Sequence, residues 1–582
     1  MQKNTIRLHD SLKHYTFDQD KVCSPVETVT RFKERLQEIN LDILKEVKRI
    51  DSGRLDIPVY FSVCGNDAQE IIGTKKQMGK GSTPEQSQAS ACMELAERFS
   101  FFSFIKNPAN FITATYEEIK ASGHPLMPLE RLLQSVHDEH MNVDTLSKLL
   151  ANIPIQWAWA HNLTKTEDVL VPFSWFFAIN EFNGPSAGNS YEEAISQGIC
   201  EIVERHVCAL VTRDRLKAPS INLDTIKDKV ASHLLAKFTR NGISVYLNDF
   251  TLDTGIPTIG AMAIDQGTFP KTSEIVYTAG TTPNPAKALI RALTEVAQLA
   301  GDFHTKANYV ASGLPKPSSL TEMDYIVNPG KSIDLDDMPD ISDNNMRTEV
   351  ENMISSLQRR GMEVFIMNTI HERLQIPAVY TIIPGAHFRE RSMINDAGLF
   401  AAKLVAEKTS SPEAANEQLS KMREFLPRAY YLEFYLGRNL HDMGRQDEAM
   451  EHLNKALELD PQTEDIPYIY SYMGSCYKDQ ERFDEAADVL HKGLDHDEER
   501  PDIHNLLGVC CYKKNDFEQA IKHFHRAVEL NPASAMDYAN LGINYRKVND
   551  VEQAVKYFEL ALSMDPGIDF AREELTQILS RS

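Results

Sequence analysis

The chain has 582 residues, of which 42% are hydrophobic and 25% are charged. This length predicts about two to four domains, and the composition excludes a wholly disordered or fibrous chain. The formal net charge of −23 argues against nucleic acid as a partner, because phosphate binding needs clustered lysine and arginine.

The sequence predicts neither export nor membrane insertion. No apolar run approaches the roughly 20 residues that cross a bilayer. The N-terminus MQKNTIRLHD lacks the apolar stretch of a signal peptide. The eight cysteines are sparse and lack C-x-x-C or zinc-finger spacing. We therefore expect a cytoplasmic protein with reduced thiols.

Residues up to about 405 alternate between helical and strand-like patterns. The strand-like runs are 57–63, 169–179, 243–250, 257–264, 363–370 and 378–384. The polar segment 407–420 predicts either a linker or the leading helix of a C-terminal helical region. We therefore expect an α+β protein with an α/β domain at 1–405, a linker or leading helix at 406–428, and an all-α region at 429–582.

One unit occurs three times in the α/β domain: a strand, a glycine-containing loop, and a helix with one polar seam. The loops are 79–81, 183–189 and 279–282. The seams are Ser90, Glu94, Glu97 and Arg98; Glu193, Gln197, Glu201, Glu204 and Arg205; and Lys287, Arg291, Thr294, Glu295 and Gln298. Spacings of three and four residues place each set on one helix face, and the remaining faces are almost entirely apolar.

Ordinary amphipathic surface helices are the alternative interpretation of these seams. It fits poorly, because the second seam has no lysine to pair with its glutamates and because such wide apolar sectors predict burial. Carboxylates that converge in a cleft repel each other unless cations neutralise them, and Mg²⁺ suits oxygen ligands that nucleotide phosphates complete. The glycine loops would present backbone N–H groups to phosphate, with Lys80 and Arg291 as countercharge.

These seams predict a nucleotide–magnesium site of an unusual kind, because neither a Walker A motif nor the protein-kinase motifs are present. Three segments then resemble the YcaO family: 79–100, 186–206 and 286–298. The motif S-x3-E-x2-E-R is met at Ser90–Arg98, S-x6-E-x3-Q-x3-E-x2-E-R at Ser186–Arg205, and R-x3-E at Arg291–Glu295. The resemblance covers residues 20 to about 400.

The resemblance implies an enzyme that binds ATP and Mg²⁺ and phosphorylates the oxygen of a peptide-backbone amide. It implies metal binding by Glu94, Glu97, Glu193, Glu201, Glu204 and Glu295, and nucleotide binding by Lys80, Ser90, Arg98, Ser186, Asn189, Gln197, Arg205 and Arg291. It assigns no catalytic residue. A Cys, Ser or Thr side chain that then adds to the amide gives an azoline, whereas external sulfide gives a thioamide.

The reaction within this family stays open. Azoline-forming members end in a proline-rich tail, whereas this chain ends EELTQILSRS. That favours thioamidation, or an accessory role in methylthiolation of a ribosomal protein, over an azoline-forming cyclodehydratase. The partners expected are a peptide or protein substrate and a sulfur-delivery or TfuA-like protein. The rival hypothesis is a noncatalytic scaffold that binds nucleotide.

The C-terminal part contains an internal repeat of roughly 34 residues. The repeated small residues are Gly437, Gly474, Gly508 and Gly542; Ala449, Ala486, Ala520 and Ala554; and Ala456, Gly493, Ala527 and Ala561. Small residues let two antiparallel helices approach closely, and a proline after the second helix ends it. The pattern is similar to the tetratricopeptide repeat (TPR) and predicts four units, with a longer connection near 462–466.

A TPR solenoid usually binds a peptide or protein along a concave groove. The expected groove positions do not match a carboxylate clamp; they are Phe434, Arg438, Ser471, Ser475, Asn505, Val509, Ala539 and Ile543. The bound protein therefore stays open, and self-association into a homodimer is an alternative.

Other chemically active residues are interpreted as structural. His137 and His140 lack a third metal ligand and are expected at a surface helix end. Cys200, Cys208 and the pair Cys510–Cys511 are expected to pack in cores. The three tryptophans lie in strand-like runs and are interpreted as packing residues.

Overall fold

The computed structural model describes residues 5–73, 77–180, 182–304, 314–388, 395–409, 411–532 and 534–580. The chain divides into two compact units, Met1–Ala397 and Gly398–Ser582. The described part of the first unit combines helices with sheets, and that of the second is helical. The predicted α+β class is confirmed.

The first unit contains fourteen strands and twelve α-helices among its described residues. The strands are β1 (Leu44–Arg49), β2 (Val59–Cys64), β3 (Gln77–Lys80), β4 (Ile112–Ala114), β5 (Ile155–Asn162), β6 (Glu167–Pro172), β7 (Pro185–Ala187), β8 (Ser220–Ile221), β9 (Ile243–Asp249), β10 (Thr258–Asp265), β11 (Val276–Thr281), β12 (Ser332–Ile333), β13 (Phe365–Asn368) and β14 (Ala378–Ile382). The helices are α1 (Pro25–Ile39), α2 (Asn66–Ile72), α3 (Pro84–Lys106), α4 (Tyr116–Ala121), α5 (Leu129–Ser135), α6 (Val143–Leu150), α7 (Phe173–Asn180), α8 (Tyr191–Arg213), α9 (Lys229–Arg240), α10 (Pro285–Ala300), α11 (Asp324–Val327) and α12 (Met346–Gln358).

These strands form three sheets. Sheet I has the order β1-β2-β3, sheet II the order β11-β10-β9-β8-β12, and sheet III the order β4-β5-β13-β14-β7, with β6 paired to β5. The pairs are antiparallel except β8 with β12. Five of the six predicted strand runs contain one strand each. The sixth, 169–179, was predicted as one strand but changes at Phe173 from β6 to helix α7.

Each of the three long helices packs on a different sheet and reaches a second one. Helix α3 packs on β2 and β3 and touches β7 and β14; α8 packs on β14 and β7 and touches β11; α10 packs on β11 and β10 and touches β3. The sheets and helices therefore close into a ring. Because the polar seams lie on these helices, the ring brings them to one place.

Each long helix begins at a side-chain cap. Thr83 accepts the Gln86 N–H before α3, Ser190 accepts the Glu193 N–H before α8, and Asn284 accepts the Ala286 and Lys287 N–H groups before α10. The caps fix where each helix starts and hence which residues face inward.

The glycines of the predicted loops have a different role from the one expected. Gly79 and Gly280 lie within strands β3 and β11 rather than in phosphate-binding loops. A Cβ on Gly79 would lie 2.2 Å from the Ala91 backbone nitrogen of α3, and one on Gly280 would lie 2.5 Å from the Ala292 nitrogen of α10. These glycines therefore set the close approach of strand and helix backbones, and the cradle prediction is wrong for them.

The second unit is a series of antiparallel helices. They are α13 (Ala397–Lys408, which begins at the unit boundary), α14 (Pro412–Met422), α15 (Tyr430–Asp442), α16 (Gln446–Glu458), α17 (Ile466–Asp479), α18 (Phe483–His496), α19 (Pro501–Lys513), α20 (Phe517–Leu530), α21 (Ala535–Lys547), α22 (Val551–Met564) and α23 (Asp569–Leu579). The polar segment 407–420 lies mainly in helix α14. The connection 459–465 is three residues longer than 497–500, as the repeat spacing predicts.

The repeated glycines of this unit receive large side chains from the partner helix. A Cβ on Gly474 would lie 2.5 Å from a Leu490 carbon, and one on Gly542 would lie 2.6 Å from a Phe558 ring carbon. The repeated small residues thus pack helix pairs closely, as predicted. No helix among the described residues has the length and apolar character to span a membrane.

We expect Gly280→Ala to destabilise the first unit by about 1–3 kcal/mol, because the added methyl group would meet backbone atoms of Ala288 and Ala292 that cannot rotate away. Urea unfolding of the full chain measures this loss. The control is Gly267→Ala, whose methyl group would meet only the Asp265 carboxylate at 3.2 Å. An equal loss in both variants would contradict the packing role of Gly280.

Candidate functional site

The seams of α3, α8 and α10 line one cavity of about 270 Å³ in the first unit. Its charged residues are Glu94, Glu97, Glu193, Glu201, Glu204, Glu295, Lys21, Lys80, Arg98, Arg205 and Arg291, and Ser90, Asn189 and Gln197 lie among them. Every residue that the sequence assigned to metal or nucleotide binding lines this cavity, except Ser186.

The seam side chains are withdrawn from solvent. Glu193 is 3% exposed, Glu204 9%, and Arg98, among the most exposed of them, 22%. Surface helices would present such groups to bulk water. The alternative of solvated amphipathic faces is therefore excluded for α3, α8 and α10.

Five of the six glutamates face a cation. Lys80 forms an ion pair with Glu295. The other pairs are Arg98 with Glu97 at 3.3 Å, Lys21 with Glu193 at 3.5 Å, Arg291 with Glu204 at 3.6 Å, and Arg205 with Glu201 at 3.8 Å. These four distances exceed those of short charge-assisted hydrogen bonds. The pairs neutralise the cavity without saturating its donors and acceptors.

Backbone groups orient the two central carboxylates of α8. Glu201 Oε2 accepts the Gly184 N–H at 3.3 Å, and Glu204 Oε2 accepts the Thr281 N–H at 3.1 Å. Arg291 Nη1 donates to Gln197 Oε1 at 3.0 Å. Loops and strands from sheets II and III thereby hold side chains of α8, which explains why this site requires the closed ring.

Burial perturbs the acids on α3. The pKa of Glu94 is raised by burial, which outweighs the attraction of Arg98 and Lys80. The pKa of Glu97 is raised well above its ordinary value, first by burial and then by the nearby Glu201 and Glu94 carboxylates. Burial together with the Arg291 charge lowers the pKa of Lys80 to about 7. Burial thus makes the two acids of α3 easier to protonate, and a further cation would oppose that effect.

An N-terminal strap, residues 5–24, adds a wall that the sequence patterns did not reveal. Lys21 and Cys23 line the cavity, and the Val22 N–H donates to Glu193 Oε2 at 3.1 Å. Asn189 Nδ2 donates to the same glutamate at 3.2 Å. No helical period marks this irregular segment, so its residues could be found only from the tertiary structure.

Ion pairs and hydrogen bonds outside the cavity hold the strap in place. Lys13, a buried lysine, forms ion pairs with Asp20 and with Glu349 of α12. Lys287 Nζ donates to the Thr16 carbonyl at 2.8 Å. Lys287 was predicted within the third seam, and it instead fixes the strap over the start of α10.

Ser186 lies outside the cavity lining, contrary to its predicted nucleotide contact. Its side chain is fully buried in β7, and its Oγ would lie 2.8 Å from a Cβ on Gly198 of α8. Ser186 therefore packs beneath α8, at the point where the contact between α8 and sheet III requires Gly198. The serine at this motif position thus contributes to helix–sheet packing.

The donor set fits a nucleotide with magnesium. Arg205 Nε and Arg291 Nε are buried without a hydrogen-bond partner among the described residues, so both can donate to phosphate oxygens. Carboxylates are suitable Mg²⁺ ligands. Within the described residues, no group of three potential metal ligands already converges on one point.

The lesser candidates are structural. His137 is half-buried and stacks on His387 with ring centroids 3.5 Å apart, rather than ending a helix at the surface. Cys200, Cys208 and Cys510 are buried as predicted, and Cys511 is half-buried. Trp157 and Trp175 are fully buried packing residues, although Trp175 lies in helix α7.

Residues 78–387 match the family profile described as YcaO cyclodehydratase, ATP- and Mg²⁺-binding. Residues 434–538 match the TPR domain of cytochrome c-type biogenesis protein H, and 538–568 match a tetratricopeptide repeat profile. Both predicted families are therefore found, in the predicted order along the chain.

Three curated proteins are similar to this chain. An uncharacterised protein of Methanothermobacter thermautotrophicus is 30% identical over 62% of this chain and 93% of its own length. An uncharacterised protein in the tfuA 3′ region of Rhizobium leguminosarum is 26% identical over 48% of this chain and 66% of its own. The Escherichia coli ribosomal protein S12 methylthiotransferase accessory factor YcaO is 23% identical over 64% and 66%.

Two solved structures share the fold. YcaO from Methanopyrus kandleri, bound with AMPPCP and Mg²⁺, has a TM-score of 0.50 at 21% identity, covering 65% of this chain and 94% of that one. A heterocyclase in complex with substrate and cofactor has a TM-score of 0.54 at 22% identity, covering 66% of this chain and 55% of that one. At these identities the likeness shows the fold alone.

Binding of nucleotide and magnesium should displace protons from Glu97, whereas phosphate contact at Lys80, with its pKa of about 7, should take up protons. The first effect arises because Glu97 has a raised pKa in the free protein, and a bound cation favours its charged form. Calorimetry of AMPPCP and Mg²⁺ binding in buffers of different ionisation enthalpy counts the protons. Glu97→Gln should release fewer protons than the intact protein, with affinity about tenfold lower or more. Equal proton release by this variant and by the exposed-site control Glu117→Gln would contradict the assignment.

Proposed function

Because the chain belongs to the YcaO family, we propose that it uses ATP and Mg²⁺ to activate a backbone amide of a peptide or protein for post-translational modification. The family's description as ATP- and Mg²⁺-binding confirms the predicted cofactors. The observation that carries the proposal is the cavity lined by six glutamates and five cationic side chains.

The proposed chemistry converts the amide oxygen from a poor leaving group into a good one. An amide oxygen does not depart unaided, and ATP supplies the phosphoryl group that makes its departure feasible. In this proposal Lys80, Arg205 and Arg291 bind phosphate oxygens and neutralise the charge that develops on them. Ser90, Arg98, Asn189 and Gln197 orient the nucleotide within the cavity.

The glutamates hold magnesium in this proposal. Glu94, Glu97, Glu193, Glu201, Glu204 and Glu295 present oxygen ligands from all three helices. Their present ion pairs are long or exchangeable, so phosphate takes the cations while magnesium takes the carboxylates. The exchange gives the carboxylates and the phosphate oxygens new partners of opposite charge, which lowers the cost of unpaired buried charge.

The attacking nucleophile is proposed to come from outside the chain. Among the described residues, Cys23 is the cysteine that lines the cavity, and burial raises its pKa. A protonated thiol is a weak nucleophile. Cys23 therefore does not supply the nucleophile. We favour external sulfide, giving a thioamide, with a sulfur-delivery or TfuA-like partner. The Rhizobium relative in a tfuA region supports that partner.

An accessory role in ribosomal protein methylthiolation is the second candidate. The Escherichia coli relative that bears this description supports it. Azoline formation is the third candidate: the family profile is described as a cyclodehydratase, and the likeness to a heterocyclase shows the fold alone. The TPR unit is proposed to recruit the substrate or another protein in the cytoplasm, and self-association through the repeats stays a prediction.

Glu201→Gln should weaken Mg²⁺-dependent AMPPCP binding about thirtyfold or more. The amide keeps the size of the side chain and can still accept the Gly184 N–H, but it loses the charge that attracts a metal ion. AMPPCP binding without Mg²⁺ should stay equal or strengthen, because one carboxylate that repels phosphate is gone. Arg291→Met should weaken binding with and without Mg²⁺. Calorimetry measures both dissociation constants.

The control for these variants is Glu117→Gln, an exposed glutamate of α4 outside the cavity. Unchanged metal dependence in Glu201→Gln would remove this residue from the metal site. Absence of Mg²⁺-dependent AMPPCP binding by the intact protein would overturn the proposed function.

The modification itself should be visible in the proteome. Cells that carry the intact chain should contain a peptide whose mass reports oxygen-to-sulfur exchange at a backbone amide, and cells with Glu201→Gln should lack it. Mass spectrometry of the two proteomes makes this comparison, with Glu117→Gln as the matched control. Loss of water at the same position would instead support azoline formation. Identical proteomes would support the scaffold hypothesis.

A further inference from the structure

A polar pocket of about 290 Å³ lies beside helix α3 in the first unit and shares no lining residue with the cavity of the six glutamates. Strand β4 pairs with β5 at residues 155–157, and β13 pairs with it at 161–162. The pocket lies where these two neighbours of β5 part, with α3 along one side. The hydrogen-bonding residues that line it include Ser100, Ser103, Asn107, Asn110, His371 and Glu372.

Two serine hydroxyls of α3 face this pocket without a hydrogen-bond partner. Ser100 is fully buried, and neither its Oγ nor that of Ser103 has a partner among the described residues. A serine in a helix can donate to the carbonyl four residues earlier, and neither of these does. Because a buried hydroxyl without a partner costs free energy, both are suited to contact a bound molecule.

The two asparagines of the pocket add one donor and one acceptor. Asn107 Oδ1 accepts the Ala109 N–H at 3.1 Å, which leaves its Nδ2 to donate. Asn110 Nδ2 donates to the Phe104 carbonyl at 2.9 Å, which leaves its Oδ1 to accept. A molecule in this pocket can therefore both donate and accept hydrogen bonds.

His371 adds a donor without adding charge. Its Nδ1 accepts the Arg373 and Leu374 N–H groups at 3.3 and 3.2 Å. Burial lowers the pKa of His371, so the ring is neutral near pH 7 and its hydrogen lies on Nε2. Among the described lining residues, Glu372 alone carries a full charge, and it is exposed. This lining disfavours an anion such as a phosphate.

We propose that the polar pocket binds backbone amides of an extended segment of the peptide or protein substrate. A backbone amide donates through its N–H and accepts through its C=O, which matches a nearly uncharged lining that offers both kinds of partner. This inference rests on the proposed function, because it assigns a place to the chain that carries the modified amide.

Helix α3 connects the polar pocket to the cavity of the glutamates. Ser100 and Ser103 follow Glu97 by three and six residues, so they lie about 60° and 120° around the helix from it, and about 4.5 and 9 Å further along its axis. One residue of an extended peptide covers about 3.3–3.6 Å. A segment held in the pocket would therefore lie a few residues from an amide that faces the cavity.

A probe made of backbone amides tests the proposal. The probe is N-acetyl-triglycine N-methylamide, and saturation-transfer NMR on the full-length protein measures its dissociation constant with and without Mg²⁺ and AMPPCP. We expect the intact protein to bind it, and Ser100→Ala and Ser103→Ala to bind it about three- to tenfold more weakly. The matched control is Ser355→Ala on α12, whose exposed hydroxyl donates to the Glu351 carbonyl at 2.8 Å. This variant should bind the probe as the intact protein does.

The stability of the alanine variants separates ligand binding from a structural role. Because the two hydroxyls have no partner in the free protein, their removal should leave the urea midpoint equal or higher. Ser103→Phe should fill the pocket and abolish probe binding while retaining Mg²⁺-dependent AMPPCP binding. Probe binding that is equal in the intact protein and in both alanine variants would overturn the proposal, as would a lowered urea midpoint in both.

Two further probes test the chemistry of the pocket. N-acetyl-triglycine ends in a carboxylate that Glu372 repels, so it should bind about two- to fivefold more weakly than the methylamide, and Glu372→Gln should remove this difference. Binding of N-methylacetamide that is as tight as that of the triglycine probe would contradict a peptide segment, and no binding of the triglycine probe would overturn the pocket assignment. Failure of the proposed function would appear separately, as loss of Mg²⁺-dependent AMPPCP binding by the intact protein.

Discussion

The structure of the first unit depends on pairing charges on side chains that are largely withdrawn from solvent. A carboxylate withdrawn from solvent stays ionised only beside a cation. Five glutamates lie beside such a cation, which is Lys21, Lys80, Arg98, Arg205 or Arg291, although burial still raises the pKa of Glu97. Three of these cations, Lys80, Arg205 and Arg291, are the ones proposed to bind phosphate. The charge pairs of the free protein would then also supply the groups that bind a nucleotide.

Glycines determine the positions of these charged side chains, because they let the long helices approach their sheets closely. Strands β3 and β11 meet α3 and α10 through Gly79 and Gly280, and α8 meets β14 and β7 through Gly198. At each contact a side chain would push the helix away from its sheet. Since each helix also touches the next sheet, a displacement of one helix would separate carboxylates from cations on the other two. Packing and charge pairing are thus linked through the same ring.

Much of the site follows from helical period. Seam spacings of three and four residues on α3, α8 and α10 identified all the cavity glutamates, because the apolar remainder of each helix required burial. Ser186 and Lys287 were assigned wrongly, because a motif position does not show which way a side chain points. The apolar run 169–179 also concealed a change from strand to helix at Phe173, which periodicity cannot detect in a short segment. Lys21 was missed because tertiary contacts alone bring its irregular strap to the cavity.

The distribution of ligands among separate elements has a thermodynamic consequence. Because α3, α8, α10 and the strap each contribute to one charge cluster, the site exists only when the three sheets have closed. A ligand that binds this closed state and not the unfolded chain must stabilise the closed state by mass action. Magnesium and nucleotide would replace four weak, long ion pairs with ligands that connect all three helices. The ion pairs of the free protein therefore stabilise the buried glutamates. Their long distances would allow nucleotide and magnesium to replace them.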